Sequence, residues 1–243
     1  MEYKITYKAF GEHAVLVEWP SKINEDILFN ILNYRERLKE FFKKKNFEFI
    51  PSYTSLAVID LDKKVNPEKL IDQLKEHEDK KIEGVQLRRK LWKLPVCYDL
   101  EFAMDLEKLC TEKGLKQDRF VKLHEDQVYT VYCMGFLPGF MYLGGLPEAL
   151  HSKRLETPRL KVPAGSVGIG GSQTGIYPQQ SPGGWNIIGN SPVQLFNVSK
   201  KPPCFISVGD RVQFYSISKP EYDILKIKVE TGIYTPENSA WND

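Results

Sequence analysis

Apolar residues change their spacing several times along this chain, and each change predicts a different element. Residues 3–10 and 13–19 are two short β-like runs rich in apolar positions and broken at Gly11, the pattern of two strands in a hairpin. From Asn24 the period becomes helical: Ile27, Leu28, Ile31, Leu32, Leu38, Phe41 and Phe42 fall on one face. Asn24 can cap this helix. Glu25 and Asp26 sit in its first turn and Lys43, Lys44 and Lys45 in its last, charges that complement the helix dipole. Strand period returns over residues 47–50 and 55–61, separated by Pro51. A second helix is capped by Asn66, begins at Pro67 and is expected to bury Leu70, Ile71 and Leu74. A further strand after Gly84 completes a β-β-α-β-β-α-β unit over residues 1–88.

The remainder, residues 89–243, reads differently. An extended stretch over 85–98 leads into it, followed by short helices at 102–113 (stopped by Gly114) and 118–125, then a strand at 128–133. Beyond that, residues 135–189 hold 12 of the 17 glycines, and short Val/Ile/Phe runs alternate with Gly and Pro. Turns this frequent are the texture of an all-β barrel or sandwich. Strands are expected at 193–196, 204–207 and 211–217, the last after the Gly209-Asp210 turn.

Composition narrows the function. Of 243 residues, 42% are hydrophobic and 27% charged, and the net charge is +2. Those are the proportions of a folded soluble chain with no global field for nucleic acid or an anionic membrane. The basic runs Lys43-Lys44-Lys45 and Arg88-Arg89-Lys90 read as solvated surface. No apolar stretch reaches transmembrane length, and the first residues lack the pattern of a signal peptide. Cys97, Cys110, Cys133 and Cys204 show neither CxxC spacing nor a neighbouring histidine. No metal site or disulfide framework is expected, and free thiols suit a cytoplasmic protein.

The segment from Val162 to Ser199 contains no Asp, Glu, Lys, Arg or His. A buried scaffold explains Val167, Ile169, Ile187 and Ile188. It does not explain the concentration of Gln173, Thr174, Tyr177, Gln179, Gln180, Ser181 and Asn186, since buried polar groups need partners and a ligand can be one. Gly165, Gly168, Gly170, Gly171 and Gly175 permit close backbone approach and turns whose N–H groups can cradle an anion, although no Walker A spacing is present. Ser181-Pro182-Gly183-Gly184-Trp185-Asn186 sets a large aromatic beside a tight turn. Just outside, Arg159 offers a planar donor fork for phosphate or carboxylate. His124 faces inward on its short helix, so a satisfied core histidine competes there with a general base.

Six ordered strings carry a resemblance: Leu94-Pro95-Val96-Cys97-Tyr98; residues 132–140 with Tyr142-Leu143-Gly144-Gly145; Thr157-Pro158-Arg159; residues 162–169; residues 173–178; and Ser181-Pro182-Gly183-Gly184-Trp185. Together, and over essentially the whole chain, they resemble the 5-oxoprolinase B-subunit family, also labelled allophanate hydrolase subunit 1 and including a sporulation histidine-kinase inhibitor. That resemblance implies an α+β chain in which an N-terminal α/β domain is followed by a C-terminal cyclophilin-like β-barrel. It implies a heteromeric hydrolase, with 5-oxoprolinase subunits C and A, that opens 5-oxo-L-proline to L-glutamate. ATP would be a co-substrate, with or without magnesium, shared with a partner subunit. Other outcomes within the same family are an allophanate hydrolase-type amide hydrolase subunit and an inhibitor that binds a sensor histidine kinase. A prolyl isomerase would follow from the barrel alone, and fold does not fix function.

On this reading Arg159, Gln173 and Tyr177 are the candidate catalytic residues. Thr174, Ser181, Gly183, Gly184, Trp185 and Asn186 are the candidate substrate contacts, and His124 is a further candidate. One departure stands out. Where the family has a Gly-Gly pair and Glu-Phe-Gly-Pro, this chain runs Asp99-Leu100-Glu101-Phe102-Ala103-Met104, so its turn there must differ.

Overall fold

The computed structural model describes residues 3–78 and 89–241. The strand expected after Gly84, and residues 85–88 of the extended stretch, lie outside the described residues. The chain divides into two compact units, Met1–Arg88 and Arg89–Asp243.

In the first unit, β1 (Thr6–Phe10) and β2 (Ala14–Glu18) form the hairpin around Gly11, whose φ is +70°. Helix α1 (Glu25–Phe41) starts where the Asn24 side chain accepts from the Ile27 amide at 2.8 Å. It buries Ile27, Leu28, Ile31, Leu32 and Leu38. Phe41, at the margin of that stripe, is 43% exposed. The three lysines follow the helix, and Lys39 is the cation of its last turn. Strand β3 (Phe47–Ser52) runs through Pro51 instead of ending before it, and Tyr53-Thr54 turns it into β4 (Ser55–Asp60). Helix α2 (Pro67–Lys75) is capped by Asn66 and buries Leu70 and Leu74, with Ile71 half-buried. The four strands lie antiparallel in the order β1-β2-β4-β3. Val15, Val17, Leu56 and Val58, alternate residues of the two central strands, share a core with Ile31, Leu38 and Leu74.

The second unit begins with β5 (Arg89–Val96), then α3 (Leu106–Lys113), ended by Gly114 at φ +63°, and α4 (Gln117–Glu125). Helix α3 starts later than its sequence predicts, because residues 99–105 are spent in turns. The Asp99 carbonyl accepts from both Phe102 and Ala103. There follow β6 (Val128–Met134), β7 (Met141–Gly144), β8 (Arg159–Val162), β9 (Ser166–Gly170), β10 (Gln173–Ile176), β11 (Ser181–Gly183) and β12 (Asn186–Asn190). The chain ends its regular structure with β13 (Arg211–Ser216), α5 (Lys219–Glu230) and β14 (Glu237–Trp241).

Seven strands follow one another in the order β5-β13-β6-β7-β10-β9-β12, antiparallel except for β5 with β13. Beyond β12 the sheet returns to its start, where Cys97 and Asn190 exchange backbone hydrogen bonds of 2.8 and 2.9 Å. Strand β14 adds to β5, and β8 and β11 form a separate ribbon. Val131, Leu143, Val167, Ile169, Ile188 and Phe214 are fully or almost fully buried inside this sheet.

The expected strands at 193–196 and 204–207 are irregular chain. Pro192, Pro202 and Pro203 withhold backbone donors there, yet Val193, Leu195 and Ile206 are buried in the core. Helix α5 was not expected from the sequence, although Ser218 and Glu221 close a complete capping box at its start. No helix among the described residues is long and apolar enough to cross a membrane. All four cysteines are free, and Cys97, Cys110 and Cys133 are buried.

Candidate functional site

Two turns of the second unit meet at a cleft of about 260 Å³, lined by Phe136, Phe140, Tyr142, Arg154, Pro158, Tyr177, Pro182, Gly183, Gly184 and Trp185. Its wall is a set of aromatic rings in edge-to-face contact. Phe140 lies 5.3 Å from Tyr177, 5.4 Å from Trp185 and 4.9 Å from Tyr142, centroid to centroid. These are favourable aromatic distances, and they fix four rings in one arrangement. Burial pushes the phenols of Tyr142 and Tyr177 above their ordinary range, so both are neutral hydroxyls.

The glycines of this segment serve the rings. A methyl group on Gly170 would fall well inside van der Waals contact of the Trp185 indole, and one on Gly168 would lie 3.2 Å from Trp185 Cβ. One on Gly175 would lie 3.3 Å from the same ring, and one on Gly183 would overlap the Tyr177 hydroxyl. Strands β9 and β10 are therefore a side-chain-free seat for Trp185. The anion cradle expected of Gly168, Gly170 and Gly175 is not their role here: a flat aromatic ring occupies the space above them. Gly183 is spared a side chain so that Tyr177 can pass.

The loop joining β6 to β7 supplies the fifth ring. It is closed by Gly135 N donating to Phe140 O at 3.1 Å and Phe140 N donating to Leu137 O at 3.0 Å. Within it Phe136 adopts φ +69°, a left-handed conformation that costs a non-glycine residue about 1–3 kcal/mol.

Of the predicted site residues, the structure brings Tyr177, Gly183, Gly184 and Trp185 together at the cleft. The others lie elsewhere, each for a physical reason. Thr174 is fully buried and belongs to a core chain with His124. Its hydroxyl donates to Gly168 O at 3.0 Å, so it accepts from His124 Nε2, also at 3.0 Å, and His124 Nδ1 is left to accept from the Tyr98 hydroxyl at 2.7 Å. One neutral tautomer satisfies every bond. Burial pushes the imidazole pKa down to about 3, which removes His124 from proton transfer near neutrality. Asn186 is buried and its amide donates to Lys153 O and Ile169 O. Ser181 is buried and turns its hydroxyl to Pro182 O. Gln173, half-buried, is not among the lining residues.

Arg159 is not an anion clamp in this arrangement. Its Nη2 meets Asp105 Oδ1 at 2.6 Å, and the second oxygen of that buried carboxylate accepts from Ile187 N, also at 2.6 Å. The cation at the cleft is Arg154, which the sequence does not single out. Its guanidinium stands 5.8 Å from the Trp185 ring centroid, a cation–π contact, and among the described residues no carboxylate pairs with it. The Leu155 amide holds this loop to Gly184 O at 2.7 Å. Nothing local distinguishes Arg154 from Arg159; only Asp105, 54 residues before Arg159, does. The cleft thus has an apolar wall, one available cation and neutral hydroxyls. It can bind and orient a small ring with an anionic substituent, and it holds no carboxylate or imidazole for acid–base work.

Comparison with known proteins gives this architecture a family. The carboxyltransferase domain, subdomain C and D, matches residues 5–206. The B subunit of 5-oxoprolinase from Bacillus subtilis (strain 168) is 33% identical over 236 residues, 93% of this chain and 98% of that protein. The chain belongs to the 5-oxoprolinase B-subunit family. A second member, the 5-oxoprolinase B subunit of Escherichia coli O157:H7, is 37% identical over 208 residues, 84% of this chain and 92% of its own length. The crystal structure of TTHA0988 superposes on 85% of this chain with a TM-score of 0.73 and 30% identity, and the chain spans 40% of that longer protein. Kluyveromyces lactis urea carboxylase shares the fold over 99% of the chain and 24% of its own length, with a TM-score of 0.77 at 18% identity. The mixed helix-and-sheet architecture with its large antiparallel sheet is thus common to this chain and the urea carboxylase.

Proposed function

We propose that this chain is a subunit of an ATP-dependent 5-oxoprolinase, which opens 5-oxo-L-proline to L-glutamate together with subunits C and A. The observation that carries this reading is the Arg154–Trp185 cleft, whose size and chemistry suit a small lactam bearing one carboxylate. Its volume of about 260 Å³ falls just below that of sites for drug-sized ligands, about 300 Å³ upward, as suits a smaller molecule. Arg154 takes the carboxylate. The aromatic wall covers the ring and excludes water from it, and the Tyr177 hydroxyl keeps its proton to donate to the lactam oxygen. In this proposal the closed seven-strand sheet is a cyclophilin-like barrel, residues 1–88 form a separate α/β domain, and the site works in the cytoplasm.

ATP does not fit the cleft. One cation is too little for a triphosphate, and no carboxylate lines the cleft to hold a nucleotide's magnesium. The nucleotide and the acid–base chemistry are therefore assigned to partner subunits, and this chain positions the substrate. The test is reconstitution. Co-purified with subunits C and A, the chain should release glutamate from 5-oxo-L-proline only when ATP is present; alone it should release none. Turnover by the single chain, or none by the full complex, sinks the proposal.

A further inference from the structure

All five rings at the cleft touch one another, but Phe136 alone among them is largely exposed. Phe140, Tyr177 and Trp185 are buried and Tyr142 is half-buried, whereas Phe136 is 59% exposed. Its backbone also lies in the left-handed region. Among the described residues the other non-glycine residue there, Tyr53, sits in the two-residue hairpin turn between β3 and β4, a type of turn that commonly demands positive φ. Phe136 lies in a six-residue loop with glycines at 135 and 139, of which Gly139 already supplies a positive φ. Two unfavourable features, an exposed apolar ring and a strained backbone, thus meet in a single residue at the mouth of the cleft. The ring stands edge-to-face to Phe140 at 5.4 Å and to Tyr177 at 6.4 Å, with interplanar angles of 86° and 89°. Both features are accounted for if the burial of this ring is completed by a ligand.

We propose that Phe136 is the specificity-determining residue of the cleft, its ring closing over a small flat ring whose single carboxylate is held by Arg154. The left-handed backbone is what aims it there. The identity of the natural ligand rests on the 5-oxoprolinase reading; the ligand chemistry does not, so two probes separate the claims. The full chain, alone and co-purified with its partner subunits, is titrated calorimetrically with benzoate and with 5-oxo-L-proline. Phe136→Asn tests the ring, because asparagine accepts the left-handed conformation at little cost.

The expected result is a melting temperature equal to or above that of the wild type, with affinity for both probes weakened at least about tenfold, ~1.4 kcal/mol. Phe136→Tyr, which keeps the ring, retains most of the affinity. Benzamide, lacking the carboxylate, binds more weakly than benzoate and is indifferent to Arg154→Gln. Probe affinities unchanged in Phe136→Asn, or no binding of either probe by the wild type, overturns the inference. If benzoate depends on Phe136 while 5-oxo-L-proline neither binds nor reacts, the inference stands and the 5-oxoprolinase reading falls.

Discussion

Replacing Arg159 by alanine removes one half of an ion pair whose other half is almost fully buried. Asp105 keeps only 6% of its side-chain surface exposed and accepts from Arg159 Nη2 and from the Ile187 amide. Breaking a fully buried pair costs about 3–5 kcal/mol, because an uncompensated charge is left behind. Arg159 itself is 28% exposed, so water can enter the vacated space. The loss should therefore sit near the value of one charge-assisted hydrogen bond, about 2 kcal/mol. At about 2–4 °C per kcal/mol for a chain of this size, the melting temperature should fall by about 4–8 °C. Thermal unfolding followed by circular dichroism reads this directly. Asp105→Asn and the double variant complete a cycle whose coupling should be of the same size, about 2 kcal/mol. The affinity of the folded Arg159→Ala protein for 5-oxo-L-proline should stay near that of the wild type. An unchanged melting temperature together with collapsed binding would refute this reasoning and return Arg159 to the role of anion clamp.

Arg154→Gln should behave in the opposite way: no change in melting temperature and about 10- to 100-fold weaker 5-oxo-L-proline binding, the loss of a charge-assisted contact of ~1.5–3 kcal/mol. Equal affinity in calorimetry would remove Arg154 from the site. Gly170→Ala should destabilise by about 1–3 kcal/mol through overpacking against Trp185. Gly184→Ala, whose methyl would meet Pro158 Cγ at an ordinary 3.6 Å, should stay within about 0.5 kcal/mol; equal urea midpoints for the two would contradict the seat. His124 has its folded pKa depressed to about 3 from 6.5, so below pH 6.5 the unfolded chain binds a proton that the native state does not. Stability should therefore fall with pH, by about 2 kcal/mol between pH 7 and pH 5 from this group alone. His124→Gln should flatten that part of the pH dependence of the urea midpoint, and an unaltered slope would assign it to other groups.

Local signals were legible wherever their partners were local. Asn24 and Asn66 cap their helices, Gly114 ends α3, and the inward face of α4 places His124 in the core, as spacing predicts. Residues 193–196 and 204–207 read as strands because their apolar residues are buried as a strand's would be, while the neighbouring prolines remove backbone donors and leave the chain irregular. Within the candidate site, the uncharged stretch supplies Tyr177 and Gly183–Trp185 to the lining of the cleft. It also held Thr174, Ser181 and Asn186, which look identical in sequence but satisfy partners within the core and the backbone. Phe136 lies within one of the six strings but nothing singles it out there, and Arg154 leaves no distinctive trace. One is marked by a backbone dihedral and the other by the lack of an acidic neighbour, and both are properties of the folded chain.

Strand β14 has a consequence for solubility. β5 carries Leu91, Trp92, Leu94 and Val96, and without β14 its first five residues would present unpaired amides and carbonyls beside apolar side chains. Such an edge recruits strands from other molecules. β14 covers it with Glu237, Asn238, Ser239 and Ala240, all solvent-facing, and Trp241 rests under the Arg211 guanidinium at 5.6 Å. The cover is polar, short and charged at its first residue, so the edge it presents in turn is a poor template. Cutting the chain before Glu237 should thus leave the ring of strands intact while making the protein more prone to aggregate.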